Sequence, residues 1–162
     1  MEQLVPWLIF CIAVSALCLI RPNAARIFVG VFFIIMAVAV NAVLSITAPD
    51  QFVRLGADAP LIPFYGWFFE QVSARAPQLA GILAAVGEIA VGLLILSSGR
   101  RVKLGLIGAI LFLIVITPLG IWTLPNPILA AGLGWLLTKD YPRSMRGLIR
   151  TRRHPKTAGR RP

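Results

Sequence analysis

The sequence predicts an all-α fold, a single bundle of transmembrane helices followed by a basic tail. Two observations lead to this prediction. First, 58% of the 162 residues are hydrophobic and only 14% are charged, which is far more apolar than a water-soluble domain of this size can bury. Second, the apolar residues are gathered in runs close to the ~20 residues that a membrane-spanning helix needs. One bundle uses residues 1 to 141, so we expect no separate soluble catalytic module.

Five apolar runs are candidates for membrane spans. Four of them approach or meet the working range of ~17 to 25 residues. The fifth is short, because the two prolines of "LPNP" interrupt a helix, and it reaches 17 residues only if it starts at Pro125. Trp122, Trp135 and Tyr141 are available to anchor it at the interfaces. The predicted segments are residues 4 to 20, 27 to 47, 78 to 98, 102 to 119 and 125 to 141.

Charge predicts the orientation of these segments, because cytoplasmic loops are enriched in Lys and Arg. The connection after the first segment carries Arg21 and Arg26, and the turn after the third is also basic. The C-terminal tail, counted from Lys139, has nine basic residues and one acidic residue. We therefore predict five crossings of the inner cell membrane, with the N-terminus outside and the C-terminus inside.

Two regions lie outside the predicted segments. The connection 48 to 77 is long and aromatic, which predicts one or two short helices in the outer interface, either a surface cap or a lid over an outward-facing cavity. Residues 142 to 162 are rich in Pro, Gly and Arg and are predicted to be mostly disordered. The tail would also suit a nucleic acid or an acidic partner, but lipid contact explains it without further assumptions, so no nucleic acid is expected. The predicted contacts to anionic lipid head groups are Arg100, Arg101, Lys103, Arg143, Arg146 and Arg150.

Cysteine and histidine give no support for metal or redox chemistry. Cys11 and Cys18 are seven residues apart in one apolar run, so on a helix they lie ~10 Å apart along the axis and cannot form a disulfide. We interpret both as packing residues. His154, the only histidine, lies in the tail. We therefore predict no metal site, no haem and no resident cofactor.

Polar residues within the predicted segments are few, and the candidates for an intramembrane site are Glu88, Asn41 and Thr117. An ionised carboxylate in a bilayer costs about 2.5 to 3.5 kcal/mol on insertion scales. Glu88 is therefore expected to face the bundle interior, and protonation there would lower the cost further.

The residues around Glu88 on its helix face are small. Gly81, Ala84 and Gly92 lie seven and four residues before it and four residues after it, and residues of this size allow helices to pack closely. The predicted depths of Asn41 and Glu88 in the membrane differ by ~6 Å, so a direct or water-bridged hydrogen bond between the two side chains is within reach. Two interpretations remain: a satisfied polar contact that holds helices together, or part of the lining of a small-molecule pocket.

Two stretches, "AARIFVGVFFIIMAVAVN" and "GEIAVGLLILSSGRRVKLGLIGAILFLIVI", resemble the DoxX-like family of small bacterial membrane proteins. The resemblance covers residues 24 to 138, and its distinctive positions are Glu88, Gly92 and the turn Gly99 to Arg101. It implies a four-helix core to which residues 4 to 20 are an addition. The family's first shared helix ends in G-x2-K, and here that lysine is missing, so no role that depends on it carries over.

The resemblance and the residues leave two functions open. The first is a non-catalytic membrane protein, either an accessory subunit of a membrane complex or a small self-associating bundle, since no catalytic constellation is visible. The second, implied by the resemblance, is the membrane subunit of a quinone-linked oxidoreductase, of the thiosulfate:quinone type or one for thiol or oxidant defence, with quinone as its cofactor. Whether the chain is an enzyme stays open. Transport has less support, because no inverted repeat is visible and five segments leave an odd helix.

Overall fold

The structure, a computed structural model, describes residues 3 to 145, and within that range all regular secondary structure is helical. A π-helical stretch, Ala37–Ala42, joins the second and third α-helices into one continuous element. Short 3₁₀ turns lie at Ser73–Arg75, Thr117–Leu119 and Ile121–Thr123. The α-helices are α1 (Leu4–Ile20), α2 (Pro22–Met36), α3 (Val43–Thr47), α4 (Pro49–Ala57), α5 (Pro63–Gln71), α6 (Pro77–Leu96), α7 (Arg100–Ile116) and α8 (Asn126–Leu137). The predicted all-α class is confirmed for this part of the chain.

Proline and glycine explain where several helices begin. Proline occupies the first position of α2, α4, α5 and α6. Its fixed φ suits the first turn, and the amide proton that it lacks would have no partner there. The turn between α6 and α7 contains Gly99 with a φ of 61°, in the left-handed region that glycine enters without steric cost. Local sequence therefore defines the starts of five of the eight α-helices in residues 3 to 145.

Three helices are long and apolar enough to cross a membrane. They are Pro22–Thr47 with 26 residues and Pro77–Leu96 and Arg100–Leu119 with 20 each. At most 28% of the apolar window in each is buried within the chain, so the remaining surface requires an apolar environment, which indicates a membrane protein. Leu4–Ile20 and Ile121–Leu137 are apolar but shorter.

Five helices form a closed ring. Going round it, α2 packs on α6, α6 on α7, α7 on α8, α8 on α1, and α1 on α2. Phe33 of α2 meets Phe112 of α7 across the ring, with an edge-to-face contact and ring centroids 5.7 Å apart. Both cysteines of α1 are free and fully buried in the core. The segment predicted as an addition to a four-helix core therefore closes the ring.

Arg26 does not lie in a loop, contrary to the expectation that the first connection contains it. The second helix begins at Pro22 rather than residue 27, which places Arg26 within it and fully buried. Its guanidinium donates hydrogen bonds to the carbonyls of Ile95 (3.3 Å), Ser97 (3.0 Å) and Arg143 (2.5 Å). The carbonyls at the end of α6 carry partial negative charge, which a cation stabilises.

Arg26 marks the end of the ring where the C-terminal segment is attached. Its guanidinium carbon lies 4.8 Å from the ring centroid of Tyr141, and the Tyr141 carbonyl accepts a hydrogen bond of 2.8 Å from the Gly99 amide. The helix predicted to reach residue 141 ends at Leu137. Residues 138 to 145 thus pack along this end, which we call the basic end. Of the tail predicted to be disordered, residues 146 to 162 lie outside the described range.

The connection 48 to 77 covers the opposite end of the ring with the two short helices α4 and α5, which we call the cap. Phe52 of α4 is the buried phenylalanine on the inner side of the cap. The Leu61 amide donates to the Pro118 carbonyl over 2.9 Å, and the Tyr65 hydroxyl donates to the Val115 carbonyl over 2.6 Å. These bonds hold the cap to the end of α7.

Candidate ligand-binding cavity

The ring encloses a cavity of about 240 Å³ beneath the cap. All five ring helices contribute to its wall, and the cap and the turns before α8 line the part nearest the cap. Most of the wall is apolar, and seven lining residues are aromatic: Trp7, Phe32, Phe33, Phe52, Phe69, Phe112 and Trp122. The other lining residues are Met36, Val40, Asn41, Leu55, Glu88, Leu113, Ile116, Leu119, Thr123 and Asn126. Its size suits a compact molecule with one ring.

Glu88 and Asn41, predicted to lie at similar depth, are in direct contact in this wall. The Asn41 Nδ2 donates a hydrogen bond of 2.6 Å to the Glu88 Oε2. Glu88 is only 4% exposed. Asn41 stands on the π-helical stretch, and such stretches are frequent at functional sites because they change the direction of side chains within a helix. The structure therefore places the two polar side chains together at the cavity wall.

Two of the three predicted packing residues lie at close helix contacts. A Cβ added to Gly92 would be 2.7 Å from the carbonyl oxygen of Gly30 on α2, and one added to Gly81 would overlap Ser45 on α3. Ala84 is half-buried, and the neighbouring Ala85 takes the buried position on this face. Residues 81, 85, 88, 92 and 95 form the buried stripe of α6, so α6 is held tightly against the continuous helix that carries Asn41.

Glu88 has no cationic partner among residues 3 to 145. The one ion pair in that range joins Lys103 and Asp140 over 3.5 Å, near the basic end. Of the described side chains, Glu88 is the one ionisable group that lines the cavity. Within the same range, the second carboxylate oxygen of Glu88 and the amide oxygen of Asn41 accept no hydrogen bond, which leaves acceptor capacity at this wall.

Thr117 does not join these residues. Its hydroxyl donates to the Leu113 carbonyl one turn earlier over 2.7 Å, and its side chain is not part of the cavity lining. This bond satisfies the hydroxyl within its own helix. The third predicted polar residue thus belongs to the helix end and not to the site.

Asn126 is a polar residue of the wall that sequence reasoning missed. It is fully buried at the start of α8, where its Oδ1 accepts a 2.8 Å hydrogen bond from Trp7 Nε1. Its Nδ2 lies 3.4 Å from the Leu113 carbonyl. The only signal in the sequence was its position in "LPNP", which is equally typical of an exposed turn.

A second depression adjoins the cavity on the outside of the cap. It has a volume of about 300 Å³ and shares Leu55, Leu119 and Trp122 with the cavity wall. Its other lining residues, Gln51, Arg54, Asp58 and Ala59, are mainly polar. Trp122 therefore lines both the cavity and this outer groove, to which Arg54 and Asp58 contribute charged side chains.

Four of the six residues predicted to contact lipid head groups belong to the described part of the chain, and these four lie at the basic end. Arg100 and Arg101 form the exposed first turn of α7, and Arg143 is also exposed. Lys103 is partly buried and pairs with Asp140. Arg146 and Arg150 lie outside the described residues.

The described part of the chain, residues 3 to 145, contains no group of three or more His, Cys, Asp or Glu side chains that would hold a metal ion. Fold and cavity together define a class: a protein whose described part is all-helical, with three helices able to cross a membrane and an aromatic cavity lined by one carboxylate. Comparison of the chain with protein-family models, with curated proteins and with solved structures gives no match in any of the three.

Proposed function

We propose that the chain is an inner-membrane protein with five crossings, the N-terminus outside and the C-terminus inside. The positions of the charged residues support this orientation. Arg26, Arg100 and Arg101 lie at the end of the ring to which the C-terminal segment is bound, while the cap lies at the opposite end. A membrane protein with its basic end in the cytoplasm obeys the positive-inside rule.

In this orientation, the proposed function is the binding of a small, largely apolar molecule in the cavity, as an accessory subunit of a membrane complex. The observation that carries the proposal is the position of Glu88, 4% exposed and lining an aromatic cavity. A neutral amide would hold two helices together without the cost of a carboxyl group inside the membrane. An ionisable residue at such a depth is typical of a functional site.

Native mass spectrometry of the gently extracted protein tests this function. The wild type is expected to retain a small molecule that is absent from Ile116→Trp. Ile116 lines the cavity, and the indole ring of tryptophan at this position would fill it. Ile114→Trp is the matched control, since Ile114 lies on the same helix but is 48% exposed on the outer surface. The proposal is refuted if the wild type carries no bound molecule and acquires none from a membrane lipid extract.

The accessory role is tested by purification. Mild detergent extraction is expected to recover the chain together with a second membrane protein. Conversely, substrate turnover by the purified chain alone would contradict the accessory role.

A second candidate function is the membrane subunit of a quinone-linked oxidoreductase. It is favoured by a cavity of about 240 Å³, suited to one ring, with the carboxyl group of Glu88 in its wall, and by the DoxX-like resemblance of residues 24 to 138. A quinone would supply two-electron chemistry, while protonated Glu88 would donate a hydrogen bond to one ring oxygen and pass its proton to it, with Asn41 orienting the Glu88 carboxyl group. Solvent extraction is expected to release quinone from the purified protein. Glu88→Gln should abolish quinone reduction in a folded bundle, and unchanged reduction would exclude this role.

A further inference from the structure

The Glu88 carboxyl group has no counter-charge in the cavity among the described residues. Glu88 accepts one hydrogen bond, from Asn41, and makes no ion pair with any residue between 3 and 145. An amide donor offsets only part of the cost of burying a carboxylate. The ionised form is therefore stabilised if a bound molecule brings a positive charge.

The aromatic part of the cavity wall also favours a positively charged ligand. Three pairs of aromatic side chains surround the cavity: Trp7 with Phe32 at 6.1 Å, Phe33 with Phe112 at 5.7 Å, and Phe52 with Phe69 at 6.4 Å between ring centroids. The faces of aromatic rings attract cations, most strongly where water is excluded. A wall of aromatic rings with one carboxylate is the arrangement that recognises alkylated ammonium groups.

We propose that the ligand of this cavity is a small organic cation with an apolar body, an alkylammonium or arylammonium, whose charged group lies beside Glu88. This inference rests on the proposed function, since it names the chemical class of the molecule that the cavity binds. The apolar body fills the space between the aromatic pairs. The ammonium group replaces the missing counter-charge of the carboxylate.

The groove beside Trp122 gives such a ligand a route from the surface. It carries one acidic and one basic side chain, Asp58 and Arg54, so its charges do not exclude a cation. A ligand that passes Trp122 moves from this groove into the aromatic cavity. Movement of the Trp122 ring is therefore expected to control entry.

Binding is expected to depend on pH through Glu88 alone. The charged residues on the elements that pack against α6 are Asp50, Arg54 and Arg75 near the cap and Arg26, Arg100, Arg101 and Lys103 near the basic end, and none of them lines the cavity. Protonation of Glu88 removes the negative charge that holds the cation. Affinity for the cation should therefore fall as the pH is lowered, by up to about tenfold per pH unit where one proton competes.

The test compares two ligands of the same shape, benzyltrimethylammonium and its neutral analogue neopentylbenzene, by titration calorimetry in detergent with protein-free micelles as the blank. The wild type is expected to bind the cation at least about tenfold more tightly, as cation-π contacts and a charge partner together require. Glu88→Gln should lose this preference and still bind the neutral analogue. Glu70→Gln, at an exposed acid of the cap outside the cavity, is the matched control and should keep the preference.

The outcomes separate this proposal from the proposed function. Equal affinity of the wild type for both ligands, or an unchanged preference in Glu88→Gln, overturns the cation proposal and leaves the cavity as a neutral binding site. Binding of neither ligand by the wild type overturns the proposed function as well. If Glu88→Gln does not fold, Phe112→Leu serves instead, because Phe112 belongs to one of the three aromatic pairs around the cavity. It keeps the carboxylate and should weaken cation binding several-fold with little effect on the neutral analogue, and an unchanged preference there also overturns the proposal.

Discussion

Replacement of Arg26 by methionine is expected to destabilise the bundle strongly, because this one side chain joins three parts of the chain at the basic end. It is fully buried in α2 and donates to two carbonyls at the end of α6 and to the Arg143 carbonyl of the C-terminal segment. Methionine fills a similar volume but donates no hydrogen bond. The three carbonyls would then lose their charged donor.

The magnitude follows from these contacts. A hydrogen bond to a charged group contributes about 1.5 to 3 kcal/mol, and its cation-π contact with Tyr141 about 0.5 to 2 kcal/mol. The lower values of both ranges apply to Arg26, since two of its hydrogen bonds are 3.0 and 3.3 Å long and the basic end is partly accessible to water. After the gain from burying methionine, we expect a net loss of about 3 kcal/mol, or about 100-fold in the ratio of folded to unfolded protein.

Reversible unfolding in mixed micelles with increasing SDS, followed by circular dichroism, measures this loss. Arg21→Met is the matched control, because Arg21 is exposed at the start of the same helix and should change stability by less than about 0.5 kcal/mol. Arg26→Lys keeps the charge but not the planar guanidinium group, so its loss of stability should fall between those of Arg26→Met and Arg21→Met. A stability of Arg26→Met equal to that of Arg21→Met would refute the reasoning.

Three further substitutions test other contacts in the same assay. Gly92→Ala places a Cβ 2.7 Å from a backbone carbonyl of α2 and should cost about 1 to 3 kcal/mol, whereas Gly87→Ala, with nothing within 4 Å, should be neutral or slightly stabilising; equal effects would contradict the packing argument. Trp7→Phe leaves the buried Asn126 Oδ1 without its donor and should cost about 1 to 3 kcal/mol; no loss would mean that the bond is unimportant. Lys103→Gln breaks an ion pair whose acidic partner is 94% exposed, so a change above about 1 kcal/mol would be unexpected.

The sequence predicts the fold class and the approximate positions of the helices because these depend on local properties of the chain. Long apolar runs favour helices that satisfy their own backbone hydrogen bonds. The observed starts of α2 and α6, at Pro22 and Pro77, differ from the predicted ones by five residues and by one. The larger difference arises because the charge of Arg26 suggests a loop, while its guanidinium is hydrogen-bonded to carbonyls of distant segments.

The candidate site could be predicted in part. A carboxylate in an apolar helix must find a polar partner, which singled out Glu88, and the shortage of polar residues at that depth suggested Asn41. The π-helical stretch that carries Asn41 has no proline or glycine to signal it. Thr117 was included because a hydroxyl in a helix looks the same in sequence whether it bonds to its own backbone or to a neighbour.

Composition and the spacing of apolar runs, prolines and charges determined by themselves that this chain is helical, that it carries helices able to cross a membrane, and that Glu88 lies on a helix face with small residues. Only the tertiary structure decided that five helices close into a ring, that the ring leaves a cavity of about 240 Å³, and that Arg26 and Asn126 are buried. The physical reason is the separation of the partners along the chain. Trp7 and Asn126 are 119 residues apart, and Arg26 and Arg143 are 117 residues apart, so their contacts exist only after the helices have packed.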